Sequence, residues 1–126
     1  MATAGDARKS LGALGEQIAV DYLRRHGYVI RERNHRTPMG EIDIVAVDRK
    51  TLAFVEVRTR RGSEFGTAAE SVTPRKQQRL IQLAESYLQS CPESFRNYRI
   101  DVVVIEFSSS NRSPRVELIK NAVEGS

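Results

Sequence analysis

Gly40-Glu41-Ile42-Asp43-Ile44-Val45-Ala46-Val47-Asp48-Arg49-Lys50-Thr51-Leu52-Ala53-Phe54-Val55-Glu56-Val57-Arg58 decides the fold. Two apolar runs of strand character flank a polar Asp48-Arg49-Lys50-Thr51 break, which is the pattern of a β-hairpin. A turn centred on Arg49-Lys50 sets Asp43 opposite Glu56 and Glu41 opposite Arg58. Strand side chains alternate between faces, so all four emerge on the same face. Directly opposed like charges, with Cβ atoms roughly 5 Å apart, are destabilising unless something compensates. Two arrangements answer that conflict. One is a divalent cation held between the carboxylates; the other is an Arg58–Glu41 ion pair beside a solvated Asp43–Glu56 pair.

Upstream of the hairpin, residues from about Ser10 to His26 carry helical periodicity. Leu11, Leu14, Ile18 and Tyr22 form an apolar stripe. At about 100° per residue, Glu16 projects roughly 140° from the centre of that stripe. It is placed on the flank of the buried face, able to lean over a sheet edge or simply to face solvent. Gly12 and Gly15 each cost a helix interior roughly 1 kcal/mol, which points to close approach of another backbone or to a later helix start. Gly27 stops the helix. Tyr28 to Arg36 then reads as a strand, with Arg31, Arg33 and His35 along one face. His26 and His35 have no paired zinc spacing and read as surface or phosphate-contacting residues. Thr37-Pro38-Met39-Gly40 is turn chemistry.

Downstream, Thr59 to Val72 reads as a long basic loop containing Gly62 and Gly66, of the kind that is usually functional or disordered. Thr73-Pro74 supplies an N-cap and a proline at the first helical position. The helix from Pro74 to Ser90 buries Leu80, Leu83, Ala84, Tyr87 and Leu88. Lys76 and Gln77 fall on that inward arc at its first turn, whereas Arg75, Gln78 and Arg79 fall outside it. Lys76 there is either a phosphate contact at a positive helix terminus or a snorkelling lysine. Arg99 to Phe107 is a strand buried on both faces. A short strand over Arg115 to Lys120 closes the domain.

At 126 residues, with 40% hydrophobic and 29% charged content, the chain makes one globular domain. It spans residues 10–120, between a disordered tail of residues 1–9 and a C-terminal tail of residues 121–126. No apolar run is long enough to cross a membrane, so no membrane partner is expected. Met1 to Ser10 lacks the apolar core of a signal peptide. Cys91 is the lone cysteine, which rules out an internal disulfide and any multi-cysteine metal site. A reducing, cytoplasmic setting is expected. The net charge of +4 and pI near 9.6 fit a polyanionic partner. The clusters Arg24–Arg36, Arg58–Arg61 and Arg75–Arg79 all neighbour the acidic hairpin.

Paired carboxylates suit hard cations such as Mg2+ or Mn2+, with water and a phosphate completing the shell. Such a cation activates water and offsets charge on a phosphodiester. Arg58, on the face of Glu56, is placed to stabilise that charge. Glu16, Gly40-Glu41-Ile42-Asp43 and Phe54-Val55-Glu56-Val57-Arg58-Thr59-Arg60 resemble the YraN family of uncharacterised bacterial proteins. The resemblance runs nearly full length, through Gly27-Tyr28, Arg33-Asn34, Phe65-Gly66 and Val72-Thr73-Pro74-Arg75-Lys76-Gln77 to Ile119-Lys120-Asn121-Ala122. That family is similar in turn to archaeal Holliday-junction resolvases of the PD-(D/E)XK nuclease superfamily.

The resemblance implies an α/β fold, a restriction-endonuclease-like mixed sheet flanked by helices, in the order α-β-β-β-α-β-β. It implies Mg2+-dependent phosphodiester cleavage of DNA, branched or repair intermediates included. Glu16, Asp43 and Glu56 become metal ligands, and Glu56-Val57-Arg58 becomes the (D/E)XK segment. Lys76 and Gln77 are expected near the scissile phosphate. Arg33, Arg36, Arg60, Arg61 and Arg75 are expected on flanking phosphates, and a homodimer is expected by analogy with the resolvases. The superfamily lysine is here Arg58, which cannot act as a general base. The glutamine that some superfamily helices pair with a tyrosine four residues on is here Gln77 followed by Ile81. A catalytically silent nucleic-acid-binding or scaffold protein, or a protein-interaction domain with a solubilising basic face, are the rival readings.

Overall fold

The computed structural model describes residues 4–61, with side chains from residue 12 onward, and residues 72–91, 95, 97–107 and 113–123. In chain order the elements are α1 (Ala4–Arg25), β1 (Val29–Thr37), β2 (Gly40–Asp48), β3 (Thr51–Arg61), α2 (Pro74–Ser90), β4 (Asn97–Phe107) and β5 (Arg115–Ile119). The mixed α/β class and this element order match the sequence expectation. The sheet runs β1-β2-β3-β4-β5. β3 and β4 are parallel, and the other neighbours are antiparallel. A parallel pair needs a crossover, which α2 supplies.

The two helices cover opposite faces. Leu80, Leu83 and Tyr87 of α2 pack with Phe54, Ile100 and Val102. Ala19, Val20 and Leu23 of α1 pack with Ala53, Val55 and Val103. β3 and β4 send alternate residues to each side, which is why Phe54-Val55 and Val102-Val103-Val104-Ile105 read as unbroken apolar runs. The start of α2 follows its capping signal: Lys76 N–H donates to Thr73 Oγ1 at 3.2 Å, with Pro74 in the first turn.

Five sequence expectations are corrected. The buried face of α1 is Gly15, Ala19, Val20 and Leu23, while Leu14 is 51% exposed. Small residues win because they let the helix settle onto the sheet; a Cβ at Gly15 would overlap Thr59 Cγ2. Among the described residues, nothing lies within 4 Å of such an atom at Gly12. The basic row of β1 is split twice: a bulge between Ile30 and Glu32 separates Arg31 from Arg33, and the left-handed Asn34 separates Arg33 from His35. Arg31 and His35 turn to Tyr87 of α2, and Arg33 turns to α1.

Residues 4–9, assigned on sequence to a tail, are helical, and Thr59–Arg61 belong to β3. Residues 121–123 also fold back: Ala122 N–H donates to the Ile100 carbonyl at 2.8 Å, and Val123 is buried. Most of the long basic loop, residues 62–71, lies outside the described residues.

Candidate functional site

The hairpin turns at Arg49-Lys50, with Arg49 at φ 60°, as two-residue hairpin turns favour. Pairing runs from Asp48↔Thr51 to Ile44↔Val55 in the expected register. There the Cα pairing stops. Val57 N–H donates to Asp43 Oδ2 at 2.8 Å, so a side chain takes the place of a ladder carbonyl. Ile42 and Val45, three residues apart, share the core under α2, which strict alternation forbids. The strand therefore slips by one position around Asp43. On the other side, Arg33 pairs with Ile44 and His35 with Ile42, leaving Asn34 opposite Asp43. Asn34 adopts φ 54°, a left-handed conformation that asparagine tolerates better than most residues.

Asp43 and Glu56 meet in this splayed end. The Glu56 side chain is 5% exposed. The Asp43 carboxyl is pushed up to about 8, first by burial, then by hydrogen bonding to Glu56 and repulsion from it, with Glu41 adding a little and the Val57 N–H opposing. A proton on Asp43 lets the two carboxyl groups bond instead of repelling. Lys76 Nζ stands 3.2 Å from Glu56 Oε2. Arg58 is farther, at 4.0 Å from the same oxygen, with a side chain 45% exposed. The alternative Arg58–Glu41 pair does not form: the pairing that would oppose them has ended, and Glu41 lies 3.8 Å from Arg36 instead.

Glu16 projects between Leu23 and Val20 at about 100° per residue, inside the buried arc of α1 instead of on its flank. Its side chain is 15% exposed. Its Oε1 accepts from Arg33 Nε at 3.1 Å and Asn34 Nδ2 at 2.9 Å. Glu56 faces α2, whereas Glu16 comes from the helix on the opposite face. Among the described residues, no three His, Cys, Asp or Glu side chains gather closely enough to hold a metal ion. Asp43 and Glu56 are together, then, and Glu16 reaches them only as far as Asn34.

The other residues singled out on sequence divide in two. Arg36, Arg61 and Arg75 are exposed. Arg33 holds Glu16, and Arg60 Nη2 pairs with Glu106 at 3.0 Å. Gln77 Nε2 donates to the Val72 carbonyl at 3.0 Å, fastening the start of α2.

Sequence reasoning missed Asn34, although an asparagine inside a strand-like run is itself a signal of unusual backbone. It also missed two polar groups elsewhere. A cleft between β1 and α2 is lined by Arg31, Glu32, His35, Tyr87, Ser90 and Cys91. There Tyr87 donates to Glu32 and accepts from Arg31 Nε at 3.1 Å. The second is the fully buried Asp101, bound by Tyr28 and Arg99.

These parts define a class: a mixed α/β sheet domain with a buried carboxyl pair where its central hairpin splays, and a helix terminus delivering a cation to it. The chain belongs to the uncharacterised protein family UPF0102, whose model matches residues 15–105; this is the YraN family named from the motifs. A UPF0102 protein of Dehalococcoides mccartyi is 48% identical over 116 residues, covering 92% of this chain and 94% of its own. One from Pelotomaculum thermopropionicum is 44% identical over 117 residues, covering 93% and 98%. One from Dictyoglomus thermophilum is 40% identical over 114 residues, covering 90% and 97%. Among the described residues, no helix is long and apolar enough to cross a membrane.

Proposed function

We propose that this protein is a metal-dependent endonuclease that cleaves phosphodiester bonds of DNA, with branched or repair intermediates as its substrates. The observation that carries the reading is the Asp43–Glu56 pair: two carboxyl groups withdrawn from water, facing each other, beside a lysine. Burying such a pair costs stability, and perturbed carboxyls of this kind mark functional sites. The donor set is hard oxygen, which fits Mg2+ or Mn2+ with water and a substrate phosphate completing the shell. Bound there, the cation would lower the pKa of a water and offset charge on the phosphodiester.

Asp43 and Glu56 hold the cation in this reading, and Asp43 gives up its proton to do so. Glu16 is the third carboxylate, kept back by Arg33 and Asn34. The Val57 N–H fixes the orientation of Asp43. Arg58 adds positive charge at the mouth of the site. The exposed Arg36, Arg61 and Arg75 bind flanking phosphates, which makes affinity salt-dependent. A homodimer would present two such sites to a two-fold junction.

Incubation with branched, flapped and linear nucleic acids, with and without Mg2+ or Mn2+, tests the reading. Cleavage is expected with metal and is lost in Asp43→Ala and Glu56→Ala, while salt-sensitive DNA binding persists. Equal cleavage in wild type and both variants sinks the site.

A second reading, a catalytically silent nucleic-acid-binding protein, is favoured by Glu16 standing apart from the pair and by Arg58 in the lysine position. Gain of cleavage in Arg58→Lys from a silent parent selects it.

A further inference from the structure

The nuclease motif places its cation on the strand, two residues after the glutamate. Here that position is Arg58, half exposed and the more distant of two cations from Glu56. The nearer cation is Lys76, which comes from the first turn of α2. Its backbone N–H is held by the Thr73 cap, and the next residue, Gln77, is tied to the Val72 carbonyl. No acidic residue in the first turn of α2 competes for it. Two anchors and an uncontested approach make this a built contact, unlike the loose extension of a snorkelling lysine.

We infer that Lys76, and not Arg58, is the positioning cation of the Asp43–Glu56 pair. The inference rests on the metal-dependent reading above. An ammonium is compact and carries three donors, whereas a guanidinium is planar and its donors point along fixed directions. Lys76 spends one donor on Glu56 and keeps two for a water or a phosphate oxygen. It also holds the carboxylate that an incoming divalent cation needs, so lysine and metal oppose each other electrostatically at one group. Arg58, facing solvent, meets the substrate backbone as it arrives.

Mn2+ binding, followed by electron paramagnetic resonance or calorimetry, tests this without any cleavage assay. Lys76→Met is expected to tighten Mn2+ by about threefold or more, with a smaller change in Arg58→Met, since exposed charge is screened. Equal Mn2+ affinity in wild type and Lys76→Met, no Mn2+ binding in either, or the larger gain in Arg58→Met overturns the inference. With a cleaved substrate, Lys76→Met lowers kcat by about a hundredfold with KM little changed, consistent with general electrostatic contributions at such sites. Arg58→Met instead raises KM and weakens its salt dependence. The reverse split overturns the inference. Absence of cleavage in the wild type defeats the nuclease reading alone, and the Mn2+ comparison still decides the role of Lys76.

Discussion

Asp101 and Glu56 lie on neighbouring parallel strands, β4 and β3, and both are nearly closed to water, at 0% and 4% exposure. Their surroundings differ completely. Asp101 accepts from Tyr28 OH at 2.9 Å, Arg99 Nε at 2.9 Å and Asn121 N–H at 2.9 Å. Arg99 continues to Asp48 Oδ2 at 2.6 Å, and Lys120 lies 3.4 Å from the same oxygen. Each acid there meets donors. Glu56 meets another acid and a lysine. One network staples the C-terminal segment to the sheet; the other leaves two carboxyl groups facing each other with Lys76 beside them. Burial of a carboxyl group therefore says little by itself, and the sign of its neighbours says which use it has.

Asp101→Ala should produce the largest loss. It strands the partly buried Arg99 and releases Tyr28 and Asn121, so a cost of about 3–5 kcal/mol is expected in chemical denaturation. Asp43→Asn and Glu56→Gln should leave the metal-free protein as stable or more so. A loss at Asp101 no larger than at Glu56 would break the contrast.

The pH dependence of stability in chelator comes next. The raised Asp43 binds its proton more tightly when folded, so its contribution is complete below the ordinary aspartate range and is lost as pH rises towards about 8. The expected slope is on the order of 1 kcal/mol per pH unit, a few kcal/mol across the window, and Asp43→Asn should flatten it. Asp48 has the opposite sign. The hydrogen bond from Arg99 lowers its pKa, so its contribution is present above the ordinary aspartate range and is lost on acidification. Denaturation series for Asp43→Asn and Asp48→Asn should differ at opposite ends of the pH scale.

Gly15→Ala probes how α1 carries Glu16 to the sheet. Its Cβ would collide with Thr59 Cγ2, and overpacking of this kind costs about 1–3 kcal/mol. Thr59→Ser in the same chain should restore most of it, as read by thermal melting. The smallest effect belongs to Arg58→Ala, within about 0.5 kcal/mol, because its ion pair is long and solvent-screened. A larger stability loss would mean that Arg58 belongs to the structural class of charges after all.

The hairpin, its turn and the carboxyl pair were legible because a two-residue break between apolar runs fixes register. The splay beyond Ile44 was not, since it depends on the Asp43 side chain capturing the Val57 N–H. The cap of α2 and the inward aim of Lys76 followed from Thr73-Pro74 and helical rotation. The face of α1 was misread because large apolar residues were weighted over small ones, and closeness of approach decided the matter at Gly15 and Ala19. The faces of β1 were misread because neither the bulge near Arg31 nor the left-handed Asn34 shows in an alternating pattern. Glu16 was singled out by helical rotation and made a metal ligand only by resemblance, and its hold by Asn34 came only from the left-handed turn of that residue.

β3 pairs with β4 along its full length, from Thr51↔Asn97 to Arg61↔Phe107. A ribosome makes β3 first, and at about 5–20 residues per second its partner arrives only seconds later. In that interval the backbone of Leu52, Ala53, Phe54 and Val55 offers an open edge to any neighbouring nascent chain. Arg58, Arg60 and Arg61 charge the far half of that edge, and charges beside an apolar strand are a common guard against mispairing. In the growing chain those arginines would guard the strand before its partner strand exists.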